Sequence, residues 1–301
     1  MHVSKTLLII ALIVVPLSGA AAAAERPTPA AEGGRPAVGD PEAGGSVVFF
    51  PPSELFKAPL ASPKEPRTHM TWLNLHIDAG SFNVGSVGFG ESFGLVRWTG
   101  ASADEGLQLG ISGAVLAQFN LDSSSMDLIN ADYIIGFPLG YRRGAWSARA
   151  RLFHQSSHLG DEFLLFPQPI GPVERINLSF ETIELMAGYD WKALRLSAGG
   201  YYILHSDTPL ERSAVQGGID FLGPARWRLR VRPFASVFGH AWEETDWDID
   251  LSAKAGLSME SPYGGKRAFQ VYAQYFNGHL PFGQFYQERA DFFGIGIGLR
   301  F

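Results

Sequence analysis

The chain has 301 residues, no Cys, a formal net charge of −6, 18% charged residues and 13% aromatic residues. Disulfide cross-links are excluded. The acidic balance argues against nucleic acid as a partner, because phosphate binding draws on clustered Lys and Arg. Past the first two dozen residues no apolar run reaches the roughly 20 residues that a membrane-crossing helix needs.

Residues 1–24 read as a secretory signal peptide. Lys5 gives the positive start, Thr6 to Leu17 the apolar stretch, and Ala20 to Ala24 the small residues at which such a peptide is cut. Residues 25–45 are rich in Ala, Pro, Gly and Glu and read as a disordered periplasmic leader. Residues 46–68 change character: Val47-Val48-Phe49-Phe50-Pro51-Pro52 and Leu55-Phe56 are apolar, yet five Pro interrupt the stretch to Arg67. Proline removes a backbone donor and fixes φ, so neither a regular helix nor a central strand fits. An irregular segment that plugs or caps a larger body is expected.

From residue 69 to 301 a period-two pattern takes over. Leu107, Leu109, Ile111, Val115, Phe119 and Leu121 share one face, with Gln108, Ser112, Gln118 and Asn120 on the other. Ile129, Tyr133, Ile135, Phe137, Leu139 and Tyr141 repeat it, with Asn130 and Asp132 opposite. Strands are expected near 69–79, 91–99, 107–121, 128–141, 145–158, 176–191, 194–205, 212–222, 226–239, 246–259, 267–277 and 288–301. The chain ends Phe293-Gly294-Ile295-Gly296-Ile297-Gly298-Leu299-Arg300-Phe301, apolar at every odd position. An alternating last strand that stops on an aromatic is the form read by the outer-membrane barrel-assembly machinery. The fold class expected is all-β: a single antiparallel transmembrane barrel of about twelve strands in the outer membrane of a Gram-negative bacterium, with outer-membrane lipids as its surroundings. Short connections at Arg142-Arg143-Gly144, Lys192-Ala193 and Gly223-Pro224-Ala225 follow even strands. The long connections Leu159 to Arg175 and Gly278 to Gln287 follow odd ones. Both chain ends are therefore expected in the periplasm, with Tyr141, Trp146, Tyr189, Trp191 and Trp227 in the inner aromatic girdle.

Several stretches resemble an uncharacterised bacterial outer-membrane family catalogued as domain of unknown function 1207. They are Phe50-Pro51-Pro52-Ser53-Glu54-Leu55-Phe56, Pro63-Lys64-Glu65-Pro66-Arg67, His154-Gln155-Ser156-Ser157-His158-Leu159-Gly160-Asp161-Glu162 and Asn277-Gly278 with Gly283-Gln284-Phe285-Tyr286. The resemblance implies an outer-membrane location and assigns no activity.

Two readings of function follow from the strand pattern. In strand 145–158 the even residues Trp146, Ala148, Ala150 and Leu152 are apolar and meet lipid, so His154, Ser156 and His158 continue that outward face near the outer leaflet. If Trp191 pairs with Trp146, Glu181 lies opposite Ser156. Ser156 as nucleophile, His154 as base and Glu181 as orienter make the set that acyl-ester hydrolysis requires. A His two residues before a Ser is similar to the arrangement in outer-membrane phospholipase A and lipid A deacylase, where Asn commonly follows the Ser and Ser157 stands here. Ile176, Leu178 and Phe180 alternate on the opposite parity from Ile183 onward, and a bulge there would turn Glu181 away. His154 and His158 share a face but stand about 13 Å apart by strand rise, so no metal site and no cofactor is expected.

The second reading concerns the lumen. Arg149, Arg151, Arg195, Arg226, Arg228, Arg230 and Arg232 are expected inside its lower half, and Asp132, Asp246, Asp248 and Asp250 near its upper end. Such a ladder suits a narrow, anion-preferring pore. The competing outcome is a closed interior, in which Arg pairs with Asp and Glu184 and the segment to Arg67 fills the remaining space. Of the two functions, a plugged or narrow-pore barrel leads, and the lipid hydrolase is the alternative.

Overall fold

The computed structural model describes residues 45–165, 175–226, 230–260 and 268–300. The expected signal peptide, all of the leader but its last residue, Trp227, Arg228 and Phe301 lie outside the described residues. Thirteen strands are described: β1 (Val47–Phe49), β2 (Thr68–Ile77), β3 (Gly80–Thr99), β4 (Gly106–Asn120), β5 (Leu128–Arg143), β6 (Trp146–Leu159), β7 (Ser179–Trp191), β8 (Leu194–Ser206), β9 (Ser213–Leu222), β10 (Val231–Trp242), β11 (Ile249–Glu260), β12 (Ala268–His279) and β13 (Arg289–Arg300). From β2 to β13 each strand pairs antiparallel with its neighbour in the chain. β13 returns to β2, with Phe292 opposite Leu75, so twelve strands close into a barrel and leave no free edge. β1 adds a short thirteenth strand along the end of β3, Val48 opposite Arg97.

The period-two sequence pattern is the cause of this wall. Ile135 and Phe137 on β5, Leu185 on β7, Ile219 on β9 and Ile295 on β13 are each more than half exposed on the outside. Asn130 and Asp132 on β5 and Arg149 and Arg151 on β6 are buried on the inside. An apolar band of this extent around a closed wall is unsuited to water and matches a hydrocarbon surround.

Two strands differ from expectation. β3 begins at Gly80 rather than near residue 91 and runs for 20 residues. Its Gly85, Gly88 and Gly90 carry no side chain, so the alternation is invisible in sequence there. The buried space at Gly88 is taken by the His69 ring, which a Cβ at that position would strike. β10 begins at Val231 rather than near 226: Arg226 and Val231 pair as an isolated bridge and Arg230 sits in the left-handed region at φ 48°.

The barrel has a turn rim, which carries the β5–β6 and β7–β8 turns, the start of β2 and the end of β13, and a loop rim at the other end. After β1, Phe50 adopts φ 51° and two Pro follow, which redirects the chain inward. Residues 51–67 then lie inside the barrel. Leu55 and Phe56 are buried there. The backbone of this segment is bonded from around the wall: Arg195 Nε donates to Lys57 O at 2.9 Å, Leu60 N donates to Asp220 at 2.9 Å, Ala61 N donates to Ser236 Oγ at 3.0 Å, and Ser252 Oγ donates to Ala61 O at 2.8 Å. An irregular backbone inside a barrel has no ladder of its own, so these wall side chains satisfy its polar groups. Arg67 closes the segment on itself by donating to the carbonyls of Ala58, Pro59 and Leu60 at 2.7–3.0 Å.

From the loop rim, residues 280–288 fold inward as well. Gly283 N donates to the Asp132 carboxylate at 3.1 Å, and Gln284 Nε2 donates to the carbonyls of Ser157 and Ile176 at 2.8 Å each. Leu280 and Phe282 join Leu73, Val84, Phe276 and Phe292 in a buried apolar cluster. Phe285 meets Phe163 of the five-residue helix Asp161–Leu165 edge to face at 5.8 Å.

Candidate functional site on the outer wall

β6 and β7 position the outward polar set. Even residues of β6 face outward along its whole length: Trp146 and Leu152 are exposed, whereas Arg149, Arg151, Gln155 and Ser157 are buried inside. His154 and Ser156 therefore stand on the outer wall, as their parity requires. Their pairing is shifted by two residues from expectation. Trp146 lies opposite Tyr189 rather than Trp191, so Glu181 lies opposite His154, and Ser156 lies opposite Ser179. His154 Nδ1 and Glu181 Oε1 are 2.9 Å apart. A carboxylate can only accept, so Nδ1–H donates and the lone pair of the neutral ring is left on Nε2. Ser156 shares the face two residues on, and among the described residues its Oγ has no hydrogen bond to the His154 ring.

β7 carries no bulge between Ser179 and Glu181. Leu178 and Phe180 point inward, where they pack with Ile203 and Trp242. The odd residues keep the outward face to Glu181 and beyond. The irregularity falls on β8 instead, where Glu181 pairs with His205 and Thr182 pairs with Ile203. The extra residue in β8 brings His205 as well as Leu204 to the outside, 3.1 Å from Glu181 Oε2. His205 is a residue that sequence parity sends inward, and a bulge in a strand without Gly or Pro at that point leaves no signal to read. The carboxylate of Glu181 is thus held from both sides, by His154 and His205.

The buried charges inside form a separate cluster. Glu65 lies between Arg149, at 2.5 Å, and Arg151, at 3.7 Å, and Glu184 bridges the same two guanidinium groups at 2.7 and 2.9 Å. Burial alone would raise the Glu65 carboxyl, but Arg149 and Arg151 overcome it and hold the group below the usual carboxylate range. Phe56 lies under Arg149 and Arg195, 4.9 Å from each. Arg195 also meets Asp190 at 3.0 Å. Asp132 is buried and pairs with Lys64, and Asp250 is buried between His240 and His279, each at 3.2 Å.

Four expected lumen residues, Arg226, Arg230, Asp246 and Asp248, are instead exposed. Arg230 is exposed on the turn rim and pairs with Glu260, which Arg232 also reaches at 2.7 Å. Asp248 is exposed and pairs with Arg289. Nor are the two signs segregated along the axis, since Glu65, Glu184, Asp190 and Asp220 stand among the Arg residues. Among the described residues the interior keeps a cavity of about 130 Å³ under the 280–288 loop and one of about 630 Å³ toward the turn rim.

A closed wall of twelve antiparallel strands with an apolar exterior and buried polar and charged residues inside defines the class of outer-membrane barrels. The chain belongs to the family described as Protein of unknown function (DUF1207), which matches residues 42–301. Among solved structures it is similar to outer membrane phospholipase A from Escherichia coli, with TM-score 0.51, 13% identity, and coverage of 82% of this chain and 95% of that one. It is also similar to the Salmonella typhi outer membrane phospholipase dimer with bound calcium, with TM-score 0.51, 14% identity and the same coverage. The KdgM porin aligns with TM-score 0.42 and 10% identity over 77% of this chain and 99% of that one. No curated protein matches the sequence.

Proposed function

We propose that the protein is an outer-membrane barrel, closed along its axis by its own N-terminal segment, whose outer wall hydrolyses acyl esters of outer-leaflet lipid. The hydrogen bond from His154 Nδ1 to Glu181, on the face shared with Ser156, carries this reading. In the reaction, Ser156 Oγ attacks the ester carbonyl and its proton passes to His154 Nε2. The tetrahedral intermediate collapses with loss of the alcohol, which takes that proton. Water then attacks the acyl-Ser156 ester by the same route and releases the fatty acid. Glu181 keeps Nδ1 protonated and stabilises the imidazolium. Ser–His contacts of this kind are often open until substrate is bound. The likeness to outer membrane phospholipases extends to the fold and lends the reading support by analogy.

The short turns and both barrel ends of the chain on one rim support a periplasmic placement for that rim and a Gram-negative source. The outer-leaflet lipids are then the partners at the loop rim, and Phe301 is the assembly signal for the barrel-assembly machinery. The decisive measurement is fatty-acid release from mixed lipid vesicles by refolded protein. Wild type is expected to release fatty acid and to be labelled by a fluorophosphonate at Ser156, and Ser156→Ala to do neither. Equal release by the two proteins would overturn the hydrolase.

The lumen we read as closed rather than as an anion pore, because the Arg149 and Arg151 guanidinium groups are already engaged by Glu65 and Glu184. Planar-bilayer recordings of the wild type are expected to stay silent. Steady anion-selective steps from the intact chain would favour the pore.

A further inference from the structure

The β6–β7 ladder continues past the named strands. Ser157 N donates to Leu178 O at 2.9 Å, so the pairing continues to Leu178, which is buried while Arg175 and Asn177 are exposed. Arg175 and Asn177 then share the outward parity of Ser179 and Glu181. Arg175 Nη2 is 3.3 Å from His158 Nδ1. A guanidinium only donates, so His158 accepts there and its Nε2–H remains available as a donor. Among the described residues no carboxylate pairs with Arg175, unlike Arg149, Arg151 and Arg195 inside the barrel. Asp207 on this face accepts from Asn177 Nδ2 at 3.3 Å.

The outer wall is therefore ordered along the membrane normal. Ile135, Leu152, Ile183 and Leu204 form exposed apolar surface on the side toward the turn rim. Ser156 comes next. His158 stands above it, about 6.6 Å further by strand rise, and the Arg175 guanidinium reaches the His158 ring from beyond it. An acylated glycerol phosphate has the same order: acyl chains, ester carbonyl, a glycerol spacer and then an anionic phosphate. We propose that this face binds a phosphate-bearing acyl lipid, with Arg175 and His158 donating to the phosphate while the ester lies at Ser156. Arg175 and His158 then determine which lipid is taken, through charge-assisted bonds that a neutral lipid cannot make. This inference rests on the hydrolase reading for the position of the ester, but the binding site can be tested without it.

The test uses refolded full-length protein carrying Ser156→Ala, so that lipid stays intact, titrated with dihexanoyl phosphatidylglycerol and with dihexanoylglycerol, which lacks the phosphate. The phosphate-bearing lipid is expected to bind about tenfold tighter or better. Adding Arg175→Ala should abolish that preference, and Arg175→Lys should keep part of it. Equal affinity for the two lipids, or a preference that survives Arg175→Ala, overturns the proposal. So does full displacement by an equal concentration of inorganic phosphate, which would assign a free-phosphate site. Hydrolysis is read separately with Ser156 present. If neither lipid is cleaved while the binding preference stands, the hydrolase fails and the lipid site remains.

Discussion

Glu181 bonds to both His154 and His205 where the exposed apolar surface of the outer wall gives way to polar residues. An isolated polar cluster in such a setting is costly unless its members satisfy one another, and here the carboxylate serves two rings. If the carboxylate orients the catalytic ring, Glu181→Gln is expected to lower acyl-ester turnover roughly 10²–10⁴-fold with little change in KM, checked by steady-state kinetics. His205→Ala leaves the His154 bond in place, so it should have the smaller effect. Inside the barrel, Glu65 tests a different property. Removing it by Glu65→Ala leaves two guanidinium groups facing the single carboxylate of Glu184, which should cost about 3–5 kcal/mol in chemical unfolding. The double change Glu65→Met with Arg149→Met should cost less than the sum of the two single changes, because the pair is then removed together.

At the scale of elements, two segments enter the interior. Residues 51–67 enter from the turn rim and residues 280–288 from the loop rim. If the first segment is the plug, its deletion should convert silent bilayers into ohmic conductance, while the wall still assembles from its own ladders. The second depends on close approach at Gly283. A Cβ there would lie 2.5 Å from Ser157 Oγ and 2.6 Å from Asp132 Oδ1. Gly283→Val is therefore expected to push the loop outward and lower stability by about 1–3 kcal/mol, visible as an earlier urea midpoint. Neither inward fold is marked by periodicity. The five Pro of the first segment exclude regular structure without saying where the chain goes. The second is a nine-residue connection whose polar atoms could have faced solvent, and it is drawn in by the groups of Asn130, Asp132, Ser157 and Ile176 and by the apolar cluster that takes Leu280 and Phe282.

At the scale of the molecule, the closed hydrogen-bonded wall and its apolar exterior make detergent resistance the natural assay: unheated protein should migrate as a compact species in gel electrophoresis and shift on boiling. The alternation of β4, β5, β6, β11 and β13 was legible because side chains in a strand have a period of two, and burial on one face only writes that period into the sequence. Parity alone thus set the outward direction of His154 and Ser156 and the inward direction of Arg149, Arg151 and Asp132. Register was not determined in this way. A slip of two residues preserves every face, so pairing Trp146 with Tyr189 instead of Trp191 satisfies the same pattern. That slip decides which residue Glu181 meets. The β8 bulge, the route of residues 51–67 through the lumen and the inward loop were likewise settled only when distant strands came together, because each depends on polar groups and space supplied by residues far away in the chain.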